Sequence, residues 1–198
     1  MLKRLFDIAG ALVALCIVGP LLLPIALWVV LDSRGPMLYR ARRIGRHHRP
    51  FAMYKFRTMV ADAARRGPAL TYQADPRITR AGRFLRRTHL DELPQLFNVL
   101  KGDMSLVGPR PEAPDYVDPG SPVWRQVLSV RPGICGLSQL AFATAESAIL
   151  SNGASVDQDY IEQVLPRKLA LDLRYVKRQS LLLDMILIVQ TVLLVLRG

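Results

Sequence analysis

The sequence has few of the residues that cross-link small proteins or bind metals. Its two cysteines, Cys16 and Cys135, lie far apart, and no Cys-x-x-Cys or Cys/His spacing occurs. The sequence therefore predicts neither a disulfide framework nor a zinc site. The adjacent His47 and His48 and the isolated His89 are interpreted as surface or packing residues rather than as metal ligands.

Acidic residues are also scarce, with 16 Asp and Glu against 27 Lys and Arg. Between Arg34 and Arg87 there are 15 cations and only two acids, Asp62 and Asp75. Such a segment binds acidic lipid headgroups, phosphate-bearing substrates or nucleic acid, or it forms a solvated cationic face. Because 51% of the residues are hydrophobic, the composition favours an anionic membrane surface over a soluble nucleic-acid binder.

The longest uncharged stretch runs from Ile8 to Leu31. A bilayer-spanning helix needs about 20 apolar residues, so this stretch is long enough to cross. Gly19, Pro20 and Pro24 lie inside it, and proline removes a helical hydrogen bond and clashes with the preceding turn. The sequence therefore predicts a membrane bend at Gly19 and Pro20.

Cations flank this stretch on both sides, with Lys3 and Arg4 before it and Arg34 and Arg40 after it. Positive charge prefers the cytoplasmic side of a membrane. A re-entrant hairpin keeps both flanks on that side, whereas a straight span sends one of them across. We therefore predict a re-entrant segment, with a kinked signal anchor as the alternative.

The rest of the chain predicts a mixed α/β fold that is mostly helical and contains one short β-hairpin. The predicted strands are Met37–Arg43 and Phe51–Met59. Helix signals predict the segments Thr79–Arg87, Pro94–Leu100, Ser121–Val130, Val156–Leu165 and Pro166–Gln179, with a loop at Ala141–Ser155. The apolar segment Leu181–Leu196, interrupted by Asp184, is predicted to lie in the membrane interface or to pack on the N-terminal segment.

Two adjacent carboxylates, Asp91 and Glu92, lie just before the predicted helix at Pro94. Free N–H groups and the dipole at a helix start attract phosphate and favour ionised carboxylates. One carboxylate could attack phosphorus while its neighbour binds the divalent cation that accompanies diphosphates. Alternatively, Thr88 and Asp91 match a capping box, which would make Asp91 purely structural.

Several cations could offset the charge of a diphosphate and of its transition state. These candidate substrate-binding residues are Lys55, Arg57, Arg86, Arg110 and Arg131. The segment Gly108-Pro109-Arg110-Pro111 fixes two φ angles around one guanidinium, which suits a phosphate clamp but also an ordinary turn with a solvated arginine.

Four motifs occur in one order along the chain: Lys55-Phe56-Arg57-Thr58-Met59, Leu90-Asp91-Glu92-Leu93-Pro94-Gln95, Gly102-Asp103-Met104-Ser105-Leu106-Val107-Gly108-Pro109-Arg110-Pro111 and Arg131-Pro132-Gly133. In these motifs the sequence resembles the bacterial monotopic phosphoglycosyl transferases, the bacterial sugar transferase family of polyprenyl-phosphate sugar-1-phosphate transferases. The resemblance covers nearly the whole chain. It implies one domain over residues 1–198, with a re-entrant helix at 1–33, a cytoplasmic catalytic part at 34–179 and a membrane-associated helix at 180–198.

The resemblance also implies a two-step reaction at the bacterial inner membrane, on its cytoplasmic face. Asp91 would attack the β-phosphate of a UDP-sugar and release UMP, and polyprenyl (undecaprenyl) phosphate would then take the sugar phosphate from Asp91. Glu92 would be associated with Mg²⁺, and Lys55, Arg86 and Arg110 match family active-site cations. The implied partners are the UDP-sugar, polyprenyl phosphate and membrane phospholipid but no nucleic acid; the number of copies stays open, with a homodimer as one option.

The chain begins directly at the apolar segment, which is typical of the minimal, catalytic-only form of the family. Two departures matter. Relatives often have Ser-Pro where this chain has Gly19-Pro20, and the residues after Gln139 lack the Gly-Arg of many relatives, so sugar contacts are not transferred there. A non-enzymatic basic membrane adaptor that binds anionic lipid or nucleic acid is the alternative function.

Overall fold

Most of the described chain is helical, and its strands are few and short. The computed structural model describes residues 1–67, 75–142 and 156–197. The helices are α1 (Leu2–Asp32), α2 (Ala63–Arg66), α3 (Arg80–Arg87), α4 (Gln95–Lys101), α5 (Pro122–Val127), α6 (Leu137–Phe142), α7 (Val156–Asp159), α8 (Leu165–Arg178) and α9 (Leu181–Arg197). The strands are β1 (Leu38–Ile44), β2 (Pro50–Phe56), β3 (Ser105–Val107) and β4 (Gly133–Cys135).

The predicted β-hairpin is confirmed by the antiparallel pairing of β1 with β2. Its turn contains a short 3-10 helix at Arg46–His48 and closes with a hydrogen bond from Gly45 N to Arg49 O at 2.9 Å. β2 ends at Phe56 rather than at Met59, because the chain then changes its pairing partner. Met59 pairs with Ile78, just before α3, instead of with β1.

The second sheet was not predicted. β3 and β4 pair in parallel, and each contains only three residues. Such short strands lack the length at which hydrophobic alternation becomes visible in a sequence. The pairing matters because it brings the chain on either side of Gly108 next to Arg131-Pro132-Gly133.

Helix α1 is the one helix in the described part of the chain that is long and apolar enough to cross a membrane by length and composition. It is helical through Gly19 and Pro20, so the bend at these residues stays a prediction. Near its start, Arg4 donates to Val99 O at 2.7 Å and to Leu100 O at 3.0 Å. At its other end, Asp32 accepts a hydrogen bond from Ala81 N at 2.9 Å.

Both ends of α1 are thus hydrogen-bonded to the body formed by the rest of the chain. The first half also packs into the main core, where Ala11 joins Met53, Val99 and Leu187. Ile25 and Val29 of the second half pack in a separate cluster with residues of β2 and α3. Many side chains of α1 nevertheless remain exposed and apolar, including Leu12, Val13, Ile17, Leu23, Leu27 and Leu31.

Most of the other predicted helices are confirmed with shifted ends. Thr79 caps α3 by accepting a hydrogen bond from Gly82 N at 2.9 Å, and α4 follows Pro94 as predicted. Helix α5 ends at Val127, three residues earlier than predicted. In the predicted loop Ala141–Ser155, α6 extends to Phe142, and the remainder lies outside the described residues.

The two helices predicted on either side of Pro166 form one helical run. Residues Tyr160–Val164 form a π-helical turn between α7 and α8, in which Leu165 N donates to Tyr160 O. Pro166 has no N–H to continue the normal pattern, and the wider turn accommodates it. Helix α9 packs next to β3, β4 and α6. It also meets α1, as one of the two predicted alternatives required, because Lys3 Nζ lies 2.7 Å from Asp184 Oδ2 and Leu187 is buried in the same core cluster as Ala11.

Candidate active site

The two adjacent carboxylates lie on a 3-10 turn, Leu90–Glu92, between α3 and α4. His89 precedes the turn with φ at 55°, so the chain reverses sharply after α3. The capping-box interpretation of Thr88 and Asp91 is wrong. Thr88 is the C-cap of α3, and its hydroxyl donates to Phe84 O at 2.9 Å. Because that hydroxyl serves α3, Asp91 is not explained as a helix cap.

Of the two carboxylates on this turn, that of Glu92 has the more hydrogen bonds and ion pairs with cations. Lys55 Nζ donates to Glu92 Oε1 at 2.7 Å, and the Arg110 guanidinium contacts both carboxylate oxygens, at 2.5 Å and 3.3 Å. Burial alone raises the pKa of Glu92, but the charges and hydrogen bonds of Arg110 and Lys55 outweigh it and hold that pKa well below its usual range. Glu92 is therefore ionised throughout the physiological pH range.

Asp91 is buried beside this pair, with 7% of its surface exposed. Its nearest cation is Lys55, whose Nζ lies 3.9 Å from Asp91 Oδ2. Within the described residues no hydrogen bond ends on its carboxylate. Burial raises the pKa of Asp91; Lys55 opposes this increase, and the negative charge of Glu92 adds to it. A carboxylate with a raised pKa and few partners is more basic and less engaged than its neighbour, as a nucleophile requires.

Arg86 approaches the same carboxylate from α3, where its charge lowers the pKa of Asp91. Arg86 Nε donates to Thr58 Oγ1 at 2.8 Å. Thr58, which follows Arg57 just after β2, therefore orients this guanidinium. The close approach depends on Gly82, because a Cβ there would lie 2.0 Å from Thr58 O. Thr58 was not predicted as a site residue, although it lies within the motif that begins at Lys55.

Arg110 lies on the loop that follows β3. Gly108 N donates to Cys135 O at 2.9 Å, and Pro109 O accepts from Gly133 N at 2.8 Å. A Cβ on Gly108 would lie 2.5 Å from Arg131 O, so this packing requires glycine. The loop is therefore held against β4, and its arginine reaches Glu92, in agreement with the predicted rigid loop.

Two predicted substrate-binding arginines lie elsewhere. Arg57 is 5% exposed, and its guanidinium donates to three carbonyls at the end of α1, those of Val29, Ser33 and Arg34. Arg57 was predicted to bind substrate together with Lys55, but β2, which carries Lys55, has already ended at Phe56. Arg57 thus closes the C-terminus of α1, a role that suits arginine.

Arg131 lies at the opposite end of α4 from the carboxylates. Its Nε donates to Gly102 O at 2.8 Å, and α4 separates Gly102 from the turn that carries Glu92. Burial lowers the pKa of Arg131, and the charges of Arg4 and Arg46 lower it further. The structure therefore groups Arg131 with these two arginines rather than with Lys55 and Arg110.

The carboxylates offer a limited set of metal ligands. Among the described residues, no group of three or more His, Cys, Asp or Glu side chains could hold a metal ion. Mg²⁺ commonly uses only one or two protein carboxylates and takes its other oxygens from substrate phosphates and water. Asp91 and Glu92 fit that mode of binding, and they do not fit a metal held by protein ligands alone.

A buried carboxylate pair surrounded by Lys55, Arg86 and Arg110 defines a phosphate-handling site, next to a helix with membrane-like composition. The family comparison agrees with this class. The bacterial sugar transferase family matches residues 1–198. The chain therefore belongs to the bacterial sugar transferase family.

Curated relatives cover most of the chain. It is 38% identical over 200 residues, which is 100% of this chain and 44% of the relative, to a UDP-N-acetylgalactosamine-undecaprenyl-phosphate N-acetylgalactosaminephosphotransferase of Aeromonas hydrophila. It is 41% identical over 199 residues, 97% of this chain and 94% of the relative, to the exopolysaccharide production protein PSS of Rhizobium leguminosarum bv. phaseoli. It is 37% identical over 193 residues, 96% of this chain and 68% of the relative, to a UDP-glucose:undecaprenyl-phosphate glucose-1-phosphate transferase of Caulobacter vibrioides. The chain thus spans less than half the length of the Aeromonas relative.

Proposed function

We propose that this protein transfers a sugar-1-phosphate from a UDP-sugar to polyprenyl (undecaprenyl) phosphate and releases UMP. The observation that carries this proposal is the contrast between Glu92, tied to Lys55 and Arg110, and the adjacent Asp91, buried without a hydrogen bond among the described residues. The names of the Aeromonas and Caulobacter relatives support the donor and the acceptor. They name different sugars, so the proposal leaves the sugar open.

In the first step, an oxygen of Asp91 attacks the β-phosphorus of the UDP-sugar. The bond between that phosphorus and the oxygen bridging to the α-phosphate breaks, and UMP leaves with the bridging oxygen. Asp91 then carries the sugar phosphate as an acyl phosphate. Lys55, Arg86 and Arg110 offset the negative charge that collects on the phosphate oxygens.

In the second step, a phosphate oxygen of polyprenyl phosphate attacks the same phosphorus. The bond to Asp91 breaks, which restores the carboxylate and gives polyprenyl-diphospho-sugar. Neither step needs a proton from the protein, because a carboxylate and a phosphate are the nucleophiles and UMP leaves as an anion.

Mg²⁺ is part of this proposal, held by Glu92 together with the donor phosphates. Bound there, the ion would neutralise phosphate charge and orient the diphosphate. Glu92 is ionised, and its carboxylate could exchange a contact with Lys55 or Arg110 for a bond to the ion. In this proposal Glu92 therefore binds the ion, whereas the Asp91 carboxylate attacks the β-phosphorus.

We also propose that α1 is re-entrant and that α9 lies in the membrane interface, with the catalytic part on the cytoplasmic face of the inner membrane. The hydrogen bonds at both ends of α1 support this topology, because Arg4 and Asp32 contact the same body. A helix that crossed the bilayer would leave one of its ends on the opposite side from that body. The exposed apolar side chains of α1 and α9 would then face lipid.

Single cysteines at positions 2 and 40, introduced into a variant without Cys16 and Cys135, test the topology in sealed vesicles. Labelling of both positions from the same side is expected. Labelling from opposite sides contradicts the re-entrant arrangement and leaves a spanning anchor.

A UMP-release assay with purified protein, Mg²⁺, polyprenyl phosphate and a panel of UDP-sugars tests the reaction. Release of UMP from at least one donor is expected, together with a lipid-linked sugar diphosphate. If the folded protein is silent with every donor and still binds anionic vesicles, the transferase proposal fails in favour of a basic membrane adaptor.

A further inference from the structure

The loop that carries Arg110 is stiff, but stiffness alone does not aim its guanidinium at Glu92. Pro109 and Pro111 restrict the backbone, and the contacts with β4 hold only the N-terminal side of the loop. On the C-terminal side, the next residue is Glu112. Its backbone carbonyl accepts a hydrogen bond from Ile44 N of the β-hairpin at 3.0 Å. The side chain of Glu112 provides a second attachment.

That attachment comes from Tyr160 and Lys168 of the C-terminal helical run. Tyr160 Oη donates to Glu112 Oε1 at 2.7 Å, and Lys168 Nζ donates to Tyr160 Oη at 3.2 Å. Lys168 Nζ also lies 4.0 Å from Glu112 Oε1 and 4.9 Å from the centre of the Tyr160 ring. Tyr160, Lys168 and Glu112 therefore form one connected polar group, here termed the Glu112 clamp.

Two of the three side chains of the Glu112 clamp are buried and that of Glu112 is partly buried, and burying polar and charged groups costs free energy. Only 2% of Tyr160 and 4% of Lys168 are exposed. A buried ammonium group is destabilising unless charged and polar partners compensate it, and apolar side chains of similar size would often serve stability better. The polar groups of the clamp are thus better explained by orientation of the loop than by stability of the core.

The local backbone sets the direction of Tyr160. It is the first residue of the π-helical turn Tyr160–Val164, and such turns occur frequently at functional sites. The turn also shifts the helical register between Tyr160 and Lys168. The ring of Tyr160 also packs against the ring of Tyr116 in a tilted contact, at a centroid distance of 5.0 Å, and this contact restricts the Tyr160 ring further.

We propose that Tyr160 and Lys168 are positioning residues for the donor diphosphate: by holding Glu112, they hold Arg110 in the orientation that meets Glu92 and the donor phosphates. This inference rests on the proposed sugar-phosphate transfer. It assigns no direct contact with substrate to either residue. Their effect passes through Glu112 and the backbone of Pro111 to the guanidinium.

Tyr160→Phe tests the proposal, because it removes one hydroxyl and keeps the ring. We expect the KM for the UDP-sugar to rise about tenfold, as the loss of one charge-assisted hydrogen bond in the alignment of Arg110 would produce. We expect the KM for polyprenyl phosphate to stay unchanged and kcat to fall less than about threefold. The matched control is Tyr54→Phe, which removes the hydroxyl contact with Lys101 at 3.0 Å and should leave both KM values unchanged.

A purely structural role of Tyr160 gives a different pattern. Lost stability lowers the fraction of active protein, so kcat falls while both KM values stay unchanged. That pattern, or wild-type kinetics, overturns the proposal. Glu112→Gln retains an acceptor for Tyr160 but removes the charge that faces Lys168, so its donor KM should lie between those of the wild type and Tyr160→Phe, whereas Glu112→Ala should match Tyr160→Phe.

A double-mutant cycle with Arg110→Ala separates an effect through Arg110 from an independent one. If the clamp acts through Arg110, adding Tyr160→Phe to Arg110→Ala changes the donor KM by less than about twofold. Multiplicative effects overturn the proposal. Equilibrium binding of UDP, expected to weaken about tenfold in Tyr160→Phe, gives a readout that does not depend on turnover. A wild-type protein that is silent with every donor refutes the transferase, whereas an active wild type with unaltered Tyr160→Phe refutes the positioning role alone.

Discussion

Several carboxylates are buried among the described residues, and two regions that contain them differ in how the carboxylates are hydrogen-bonded. At the junction of α1 with β3 and α9, Asp7 accepts hydrogen bonds from Ser105 Oγ and Leu106 N of β3, at 2.9 and 3.1 Å. Asp184 accepts from Lys3 at 2.7 Å and from Tyr175 at 2.7 Å. At the active site, Glu92 is similarly paired, but Asp91 has no hydrogen bond among the described residues.

This difference shows how a reactive carboxylate can be distinguished from a structural one among buried charges. Donors that hydrogen-bond to a carboxylate stabilise its ionised form, and they link the secondary-structure elements that carry the two partners. A buried carboxylate without such donors loses solvation and gains little in return, so the surrounding fold must be held by other interactions. Asp91 is of the second kind, and its position next to Lys55, Arg86 and Arg110 gives that arrangement a use.

The largest effect is expected for a substitution of Asp91, the carboxylate without a hydrogen bond among the described residues. Asp91→Asn keeps the size of the side chain but removes the nucleophilic oxygen charge, so we expect UMP release to fall by at least about a thousandfold. The protein should remain folded, as measured by thermal unfolding in detergent. Glu92→Gln serves as the comparison, with activity that depends more steeply on Mg²⁺ concentration. Normal turnover in Asp91→Asn would show that no covalent intermediate forms at this residue.

The junction should respond in stability rather than in chemistry. Lys3→Ala leaves Asp184 buried without its cation, which is expected to cost about 2–4 kcal/mol of unfolding free energy. Once corrected for the active fraction, both KM values should equal those of the wild type. Lys3→Arg retains the charge and is the control. A selective rise in one KM with unchanged stability would mean that the junction contributes directly to substrate binding.

Asp172 lies between the two extremes, because Ser138 Oγ donates to its Oδ1 at 2.6 Å while burial raises its pKa to about 7 from 3.8. Because the pKa is raised in the folded state, the folded chain prefers Asp172 protonated. The stability that this preference contributes is fully present below about pH 4 and is lost as the pH rises through 7. Asp172→Asn removes that dependence.

We therefore expect Asp172→Asn to gain stability relative to the wild type between pH 5 and pH 8, by on the order of 2 kcal/mol. Thermal unfolding of both proteins across this range measures the difference. Parallel stability profiles would mean that Asp172 keeps the same protonation state in the folded and unfolded chain over the range.

The smallest effect is expected at an exposed pair that belongs to neither region. Arg66 lies 2.7 Å from Asp62, and both side chains are about half exposed, at 60% and 48%. Exposed pairs contribute between zero and about 1 kcal/mol, so Arg66→Ala should leave both activity and the unfolding midpoint nearly unchanged. A loss comparable to that of Lys3→Ala would remove the distinction between buried and exposed pairs on which the comparison depends.

Local signals in the sequence predicted much of the fold. The hairpin follows from two cation-rich strands around a turn, α3 follows from the Thr79 cap, and α4 follows from Pro94. The parallel pairing of β3 with β4 was missed, because it joins three-residue segments that are distant in sequence. The π-helical turn at Tyr160 was also missed, since a proline at Pro166 predicts a helix boundary more directly than a wider turn.

The active site was predicted in part. Lys55, Arg86, Arg110, Asp91 and Glu92 come together, whereas Arg57 and Arg131 contribute to other contacts. Charge and membership of a motif cannot separate Arg57 and Arg131 from Arg110, because all three are arginines within the motifs quoted above. Their partners are carbonyls, of Val29, Ser33 and Arg34 for Arg57 and of Gly102 for Arg131, and a sequence does not show where carbonyls are left unpaired.

The sequence by itself determined the apolar stretch with its basic flanks, the adjacent Asp91 and Glu92, and the rigid loop around Arg110, because composition, adjacency and proline geometry are local properties. Only the tertiary structure decided that both ends of α1 attach to one body and that Tyr160 and Lys168 reach Glu112. It also decided that Glu92 is hydrogen-bonded to two cations, whereas Asp91 has no side-chain hydrogen bond among the described residues. Hydrogen-bond occupancy and burial depend on residues distant in sequence. For that reason the role of each charge became evident only when its partners were known.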